Sequence, residues 1–165
     1  MTYVTPFSPI LEGGLTELVG IDEEVNTDDF SGSVGVTIGT GLGSNRAVSG
    51  EILSFMLYGT EDGSGAVPVP AGKLIILDAD PAVSSGDTAL AAGEWPTIIG
   101  IVDVAATDWV SDANGGGAFV PDQPVPFHDL ADLYFVWLHT DATDINDAAG
   151  DDEQLEFNFW MRIDS

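Results

Sequence analysis

The sequence predicts an all-β fold, a single-domain β-sandwich that is jelly-roll-like with an extended N-terminal arm. Three observations carry this. Twenty glycines and nine prolines are spread through 165 residues and leave no room for a long helix. The apolar runs are short, rich in Val, Ile, Phe, Tyr and Trp, and separated by turn residues at the spacing of a sandwich or barrel. Two segments have a clear strand signature. In Gln154–Ile163, Leu155, Phe157, Phe159, Met161 and Ile163 fall on one face, opposite Glu156, Asn158, Trp160 and Arg162. In 132–140 the run LYFVWLH is apolar on both faces, so it belongs at a sheet centre or beneath a loop or a second chain.

In chain order the strand candidates are 3–7, 18–25, 33–39, 47–58, 73–79, 96–105, 108–111, 117–120, 132–140 and 154–163. The stretches 60–72 and 111–117 read as turn-rich linkers. Residues 1–16 form an arm or edge strand, and 17–165 form the sandwich. In the arm, Tyr3, Val4, Phe7, Ile10, Leu11 and Leu15 follow neither a two-residue nor a helical period. Pro6 and Pro9 bar a helix interior, and Gly13-Gly14 supplies a hinge. With no basic start and no clean apolar run, the first twenty residues do not read as a signal peptide.

Charge narrows the partners. Twenty-eight acidic side chains face three basic ones (Arg46, Lys73 and Arg162), a formal charge of −25. A chain so charged stays unfolded unless it buries enough apolar surface to offset its entropy. At 44% hydrophobic, with four Trp, three Tyr and eight Phe, this one can build a core, so the acid coats a folded body. Nucleic-acid binding rests on cations that neutralise phosphate, and anionic membrane surfaces demand the same, so both are excluded as partners. Without cysteine there is neither a disulfide nor a thiolate metal site.

Candidate sites are few. The loop 141–153 gathers Asp141, Asp144, Asn146, Asp147, Asp151 and Asp152, oxygen donors of the kind calcium takes, though without the spacing of an EF-hand. A solvated acidic loop is the alternative. The turn 77–90 offers Asp78, Asp80 and Asp87 more weakly. The glycines of 38–45 lack the following helix and lysine of a phosphate loop. His128 and His139 are the only histidines, and neither adjoins a nucleophile motif, so no enzyme is expected. Trp95 and Trp160 are exposed-aromatic candidates for a sugar or a protein partner.

In character the whole chain resembles a viral capsid accessory protein. The runs DADPAVSSGDTAL, PDQPVPFHDLADLYFVWLHTDATDIND and LEFNFWMRIDS are similar in style to head decoration (cement) proteins of tailed phages. The resemblance implies a non-enzymatic homo-oligomer, often a trimer, bound to the major capsid protein on the outer capsid surface of a virion. Tyr3, Val4, Phe7, Ile10, Leu11 and Trp160 are then the capsid or subunit contacts. A calcium-dependent carbohydrate-binding jelly-roll module, using Trp95 or Trp160, is the alternative.

Overall fold

The structure is a computed structural model that describes residues 10–19, 25–38, 46–61, 69–112, 115–121, 124–142, 145 and 153–164. The described residues form eleven strands: β1 (Ile10–Glu12), β2 (Thr16–Val19), β3 (Val34–Thr37), β4 (Val48–Glu61), β5 (Gly72–Leu77), β6 (Ile98–Val104), β7 (Trp109–Asp112), β8 (Gly115–Val120), β9 (Val125–Leu130), β10 (Asp132–His139) and β11 (Glu153–Ile163). Among the described residues the helical pieces are single 3-10 turns, such as Trp95–Thr97 and Ala106–Asp108. No helix there is long and apolar enough to cross a membrane.

Strand pairing is antiparallel throughout, and it nests. β2 pairs with β11, β3 with β10, β4 with β8 and β9, and β5 with β6. The earliest strand thus meets the last, and each inner pair closes inside the previous one. That nesting is the connectivity of a jelly roll. One sheet has seven strands in the order β1-β11-β4-β8-β7, with β2 also on β11 and β9 also on β4. The other runs β3-β10-β5-β6.

The core lies between the sheets. Phe135 of β10 sits 4.5 Å from Phe157 and 5.2 Å from Phe159 of β11, ring centre to ring centre, and Phe55 of β4 follows at 6.4 Å from Phe159. All four are fully buried. The inward set of β11 is the one its alternation predicts: Leu155, Phe157, Phe159, Met161 and Ile163 are buried. Close approach demands glycine at Gly72, where a Cβ would stand 2.2 Å from the Trp137 ring.

The two-faced apolar strand, β10, has its outer side covered within the chain. Phe30, Val83 and Leu90 pack with Ile75, Leu77 and Val136 into a second small core, against which Tyr134 and Leu138 rest. No second chain is needed to bury that face. Two strands fall outside the sequence expectation: β1, and β9, which carries Pro126. Among the described strands β9 pairs only with β4, and proline's missing N–H is tolerated at such an edge. The expected strand 3–7 lies outside the described residues.

Candidate functional site

Of the six expected calcium ligands only Asp141 is described; Asp144, Asn146, Asp147, Asp151 and Asp152 lie outside the described residues. Asp141 follows β10 and serves the backbone. Its Oδ1 accepts from the Ala142 N–H at 2.7 Å and its Oδ2 from the Ala71 N–H at 3.3 Å. Its carbonyl accepts the Thr27 hydroxyl at 2.6 Å.

The second acidic turn is likewise engaged in holding itself together. Asp80 Oδ1 accepts from Ser33 Oγ and from the Ala82 N–H, both at 2.9 Å, and Asp87 Oδ2 accepts from the Ser84 N–H at 2.9 Å. These bonds pin the loop that covers β10, and Ala82 takes a left-handed φ of 51° within it. Among the described residues no three metal-binding side chains gather into a group.

The histidines separate in role. His139 ends β10 fully buried, and its backbone exchanges hydrogen bonds of 3.0 Å with Asp28 and Asp29. His128 lies on β9, where its Nδ1 shares a 2.8 Å hydrogen bond with Ser49 Oγ of β4. The contact looks like a nucleophile and its base, but the local geometry assigns it to the fold. Ser49 stands where the β4–β9 register shifts, and its Oγ accepts from the N–H of Asp129, itself at a left-handed φ of 54°. The hydroxyl satisfies a backbone donor displaced by the bulge. Ser49 and His128 are far apart in sequence, so nothing in the chain announces the pair.

The remaining expected contact residues concern the seven-stranded sheet. Tyr3, Val4 and Phe7 lie outside the described residues. Ile10 and Leu11 belong to β1, whose backbone pairs with Arg162 and Met161 along the edge of β11. Trp160 is half-buried on the outer face of that sheet, and Trp95 is 57% exposed in the 3-10 turn leading into β6 of the other. The two tryptophans therefore belong to different sheets and share no platform.

Strand register lays out the outer face around Trp160 as rows. In one row Val110 of β7 stands opposite Gly117 of β8, then Tyr58 of β4, Glu156 of β11 and Glu17 of β2. The next row runs from Phe119 through Met56 to Asn158, and the third from Ser54 through Trp160 to Glu12. Phe119 meets Trp160 edge-on at 6.5 Å and 71°. Phe119 is 54% exposed and Val110 83%. A Cβ at Gly117 would lie 2.8 Å from the Met56 methyl, so the methionine covers the space glycine leaves.

Carboxylates border this apolar centre. Glu156 is partly buried, and that burial, with Glu17 directly opposite as the second cause, raises its carboxyl above the usual carboxylate range. Glu12 accepts from the Asn158 side-chain amide, and Glu51 pairs with Arg162. Alternation in β11 marked Trp160 in advance. Val110 and Phe119 fall within the expected strands 108–111 and 117–120, but runs so short carry too little alternation to show which face each side chain takes.

No family model matches the chain, and no curated protein matches it in sequence. Among solved structures it is similar to a chain of the Kashmir bee virus empty particle at acidic pH, at 12% identity and TM-score 0.38, with 99% of this chain and 94% of that chain covered. It is similar to a chain of the empty head of turnip yellow mosaic virus at 9% identity and TM-score 0.36, covering 100% and 85%. A chain of sacbrood virus of honeybee follows at 11% and TM-score 0.35, covering 96% and 70%. The chain's own strand order, and not these distant superpositions, makes it a jelly roll.

Proposed function

We propose that the chain is a structural protein of a virion, mounted on the outside of a capsid as a decoration (cement) module that binds the major capsid protein and stabilises the shell. The observation that carries this reading is the outer face of the seven-stranded sheet. Phe119, Trp160 and Val110 remain on the surface of an otherwise acidic body with a formal charge of −25. A folded sandwich has no use for exposed aromatics there, whereas a docked one buries them. Virus shells are among the places where jelly rolls serve as building modules, and the sequence's resemblance to head decoration proteins agrees.

The acid gives the module a side. Facing packaged nucleic acid it would meet phosphate with carboxylate, so the outer surface is the favourable position. Docking stabilises the shell by mass action, because a ligand that binds only the assembled state raises its melting point. Trimers at the junctions between capsid subunits are the arrangement the resemblance implies, with Tyr3, Val4 and Phe7 as added contacts. The test is add-back to particles stripped of this chain. Saturable binding and a raised particle melting temperature are expected; binding that never saturates, or leaves the particle's melting unchanged, refutes the role.

A further inference from the structure

The outer face of the seven-stranded sheet has the composition of an interface core. Aromatic residues and methionine are enriched at the centres of protein interfaces, and here Tyr58, Met56, Phe119 and Trp160 stand in adjacent rows across β4, β8 and β11, with Val110 beside them on β7. The floor beside them is low. Gly115 carries no side chain, and a Cβ there would meet only the Gly59 carbonyl oxygen, at 3.5 Å, whereas the Met56 methyl fills the space over Gly117. A partner can therefore press close to the strand at Gly115.

The perimeter decides what that partner is. Glu12, Glu17 and Glu156 border the patch on the β1, β2 and β11 side, Glu51 lies beyond Trp160, and Asp112 follows Val110 on β7. On the described strands of this face the cation is Arg162, already paired with Glu51, and Lys73 is paired with Asp103 on the other sheet; Arg46 stands ahead of β4. A second copy laid face to face would set Glu12, Glu17 and Glu156 against the same carboxylates, with Arg162 already engaged by Glu51. Like charges so juxtaposed work against association.

Resting on the docked-module reading above, we propose that this face is the docking surface and that its occupant is a protein surface with an apolar centre and a Lys/Arg rim. The apolar rows seat the centre, and the carboxylates steer and orient the rim. Rim charges act mainly on association rate and on salt dependence, so complex formation slows as salt rises.

The test needs no capsid. The probe is an amphipathic Leu/Lys peptide, compared with an oligolysine of equal charge, titrated into the full chain and followed by calorimetry. The wild-type chain should bind the amphipathic peptide the tighter, and Phe119→Ser/Trp160→Ser should lose about tenfold of that affinity while its oligolysine affinity stays unchanged. Should replacement of the half-buried Trp160 unfold the chain, Val110→Ser/Phe119→Ser alters exposed positions alone. Equal binding of the amphipathic peptide by wild type and by a folded variant overturns the assignment. So does sedimentation showing that the same variant turns an oligomer into a monomer, because the face would then be a self-interface. Neither result depends on particle add-back, so failure of the capsid role would show separately.

Discussion

Truncating two phenylalanines to alanine should give opposite results, because one belongs to the core and the other to the exposed face proposed for docking. Phe135 is 0% exposed and packs against Phe157 at 4.5 Å and Phe159 at 5.2 Å, bridging the two sheets. Burying such a ring removes roughly 150–200 Å² from water, which at about 25 cal/mol per Å² amounts to ~4–5 kcal/mol. The cavity left between two close-packed sheets cannot collapse fully, so Phe135→Ala should cost about 3–5 kcal/mol. For a domain of this size each kcal/mol moves the midpoint by roughly 2–4 °C, so Tm should fall by on the order of 10 °C. Phe119 is 54% exposed, and Phe119→Ala should stay within about 0.5–1 kcal/mol of wild type. Urea unfolding followed by far-UV circular dichroism measures both. Comparable losses for the two variants would refute the division between core and docking face.

Three further outcomes follow from the same structure. The folded-state pKa of Glu156 is raised, so this group stabilises the fold below its unfolded pKa and loses that contribution as pH rises through the folded value. Glu156→Gln should therefore be the more stable chain at neutral pH, with its advantage shrinking on acidification; thermal melts of both across the carboxylate range check this. Gly72→Ala places a methyl against the Trp137 ring and should destabilise by about 1–3 kcal/mol, read by urea midpoint. The loop 141–153 is proposed to bind calcium weakly, so calcium should raise Tm beyond magnesium, or sodium at matched ionic strength, and identical effects of the three would remove the site.

Much of the fold was legible because alternation reports directly on burial. Leu155, Phe157, Phe159, Met161 and Ile163 shared one face in the sequence, and they share the core in the structure. The doubly apolar β10 was equally visible, but what covers it was not. Phe30, Val83 and Leu90 come from distant segments, and only the tertiary path brings them together. β9 was hidden by Pro126, which reads as a strand breaker until its edge position is known. Gly115–Gly117 read as a turn for a similar reason. They run as strand because β8 lies between β4 and β7, with Met56 packed over Gly117. The docking face was the least legible part. Its rows exist only through the pairing of β7, β8, β4 and β11, and a one-residue slip would send Phe119 or Trp160 inward.

The central claim, that this chain is a component of a capsid exterior, is tested most directly by its stoichiometry in purified particles. Quantitative mass spectrometry should find it at a fixed integer ratio to the major capsid protein, since a closed symmetric shell repeats each contact it makes. Low copy numbers that vary between preparations, or a complete absence from particles, would contradict it.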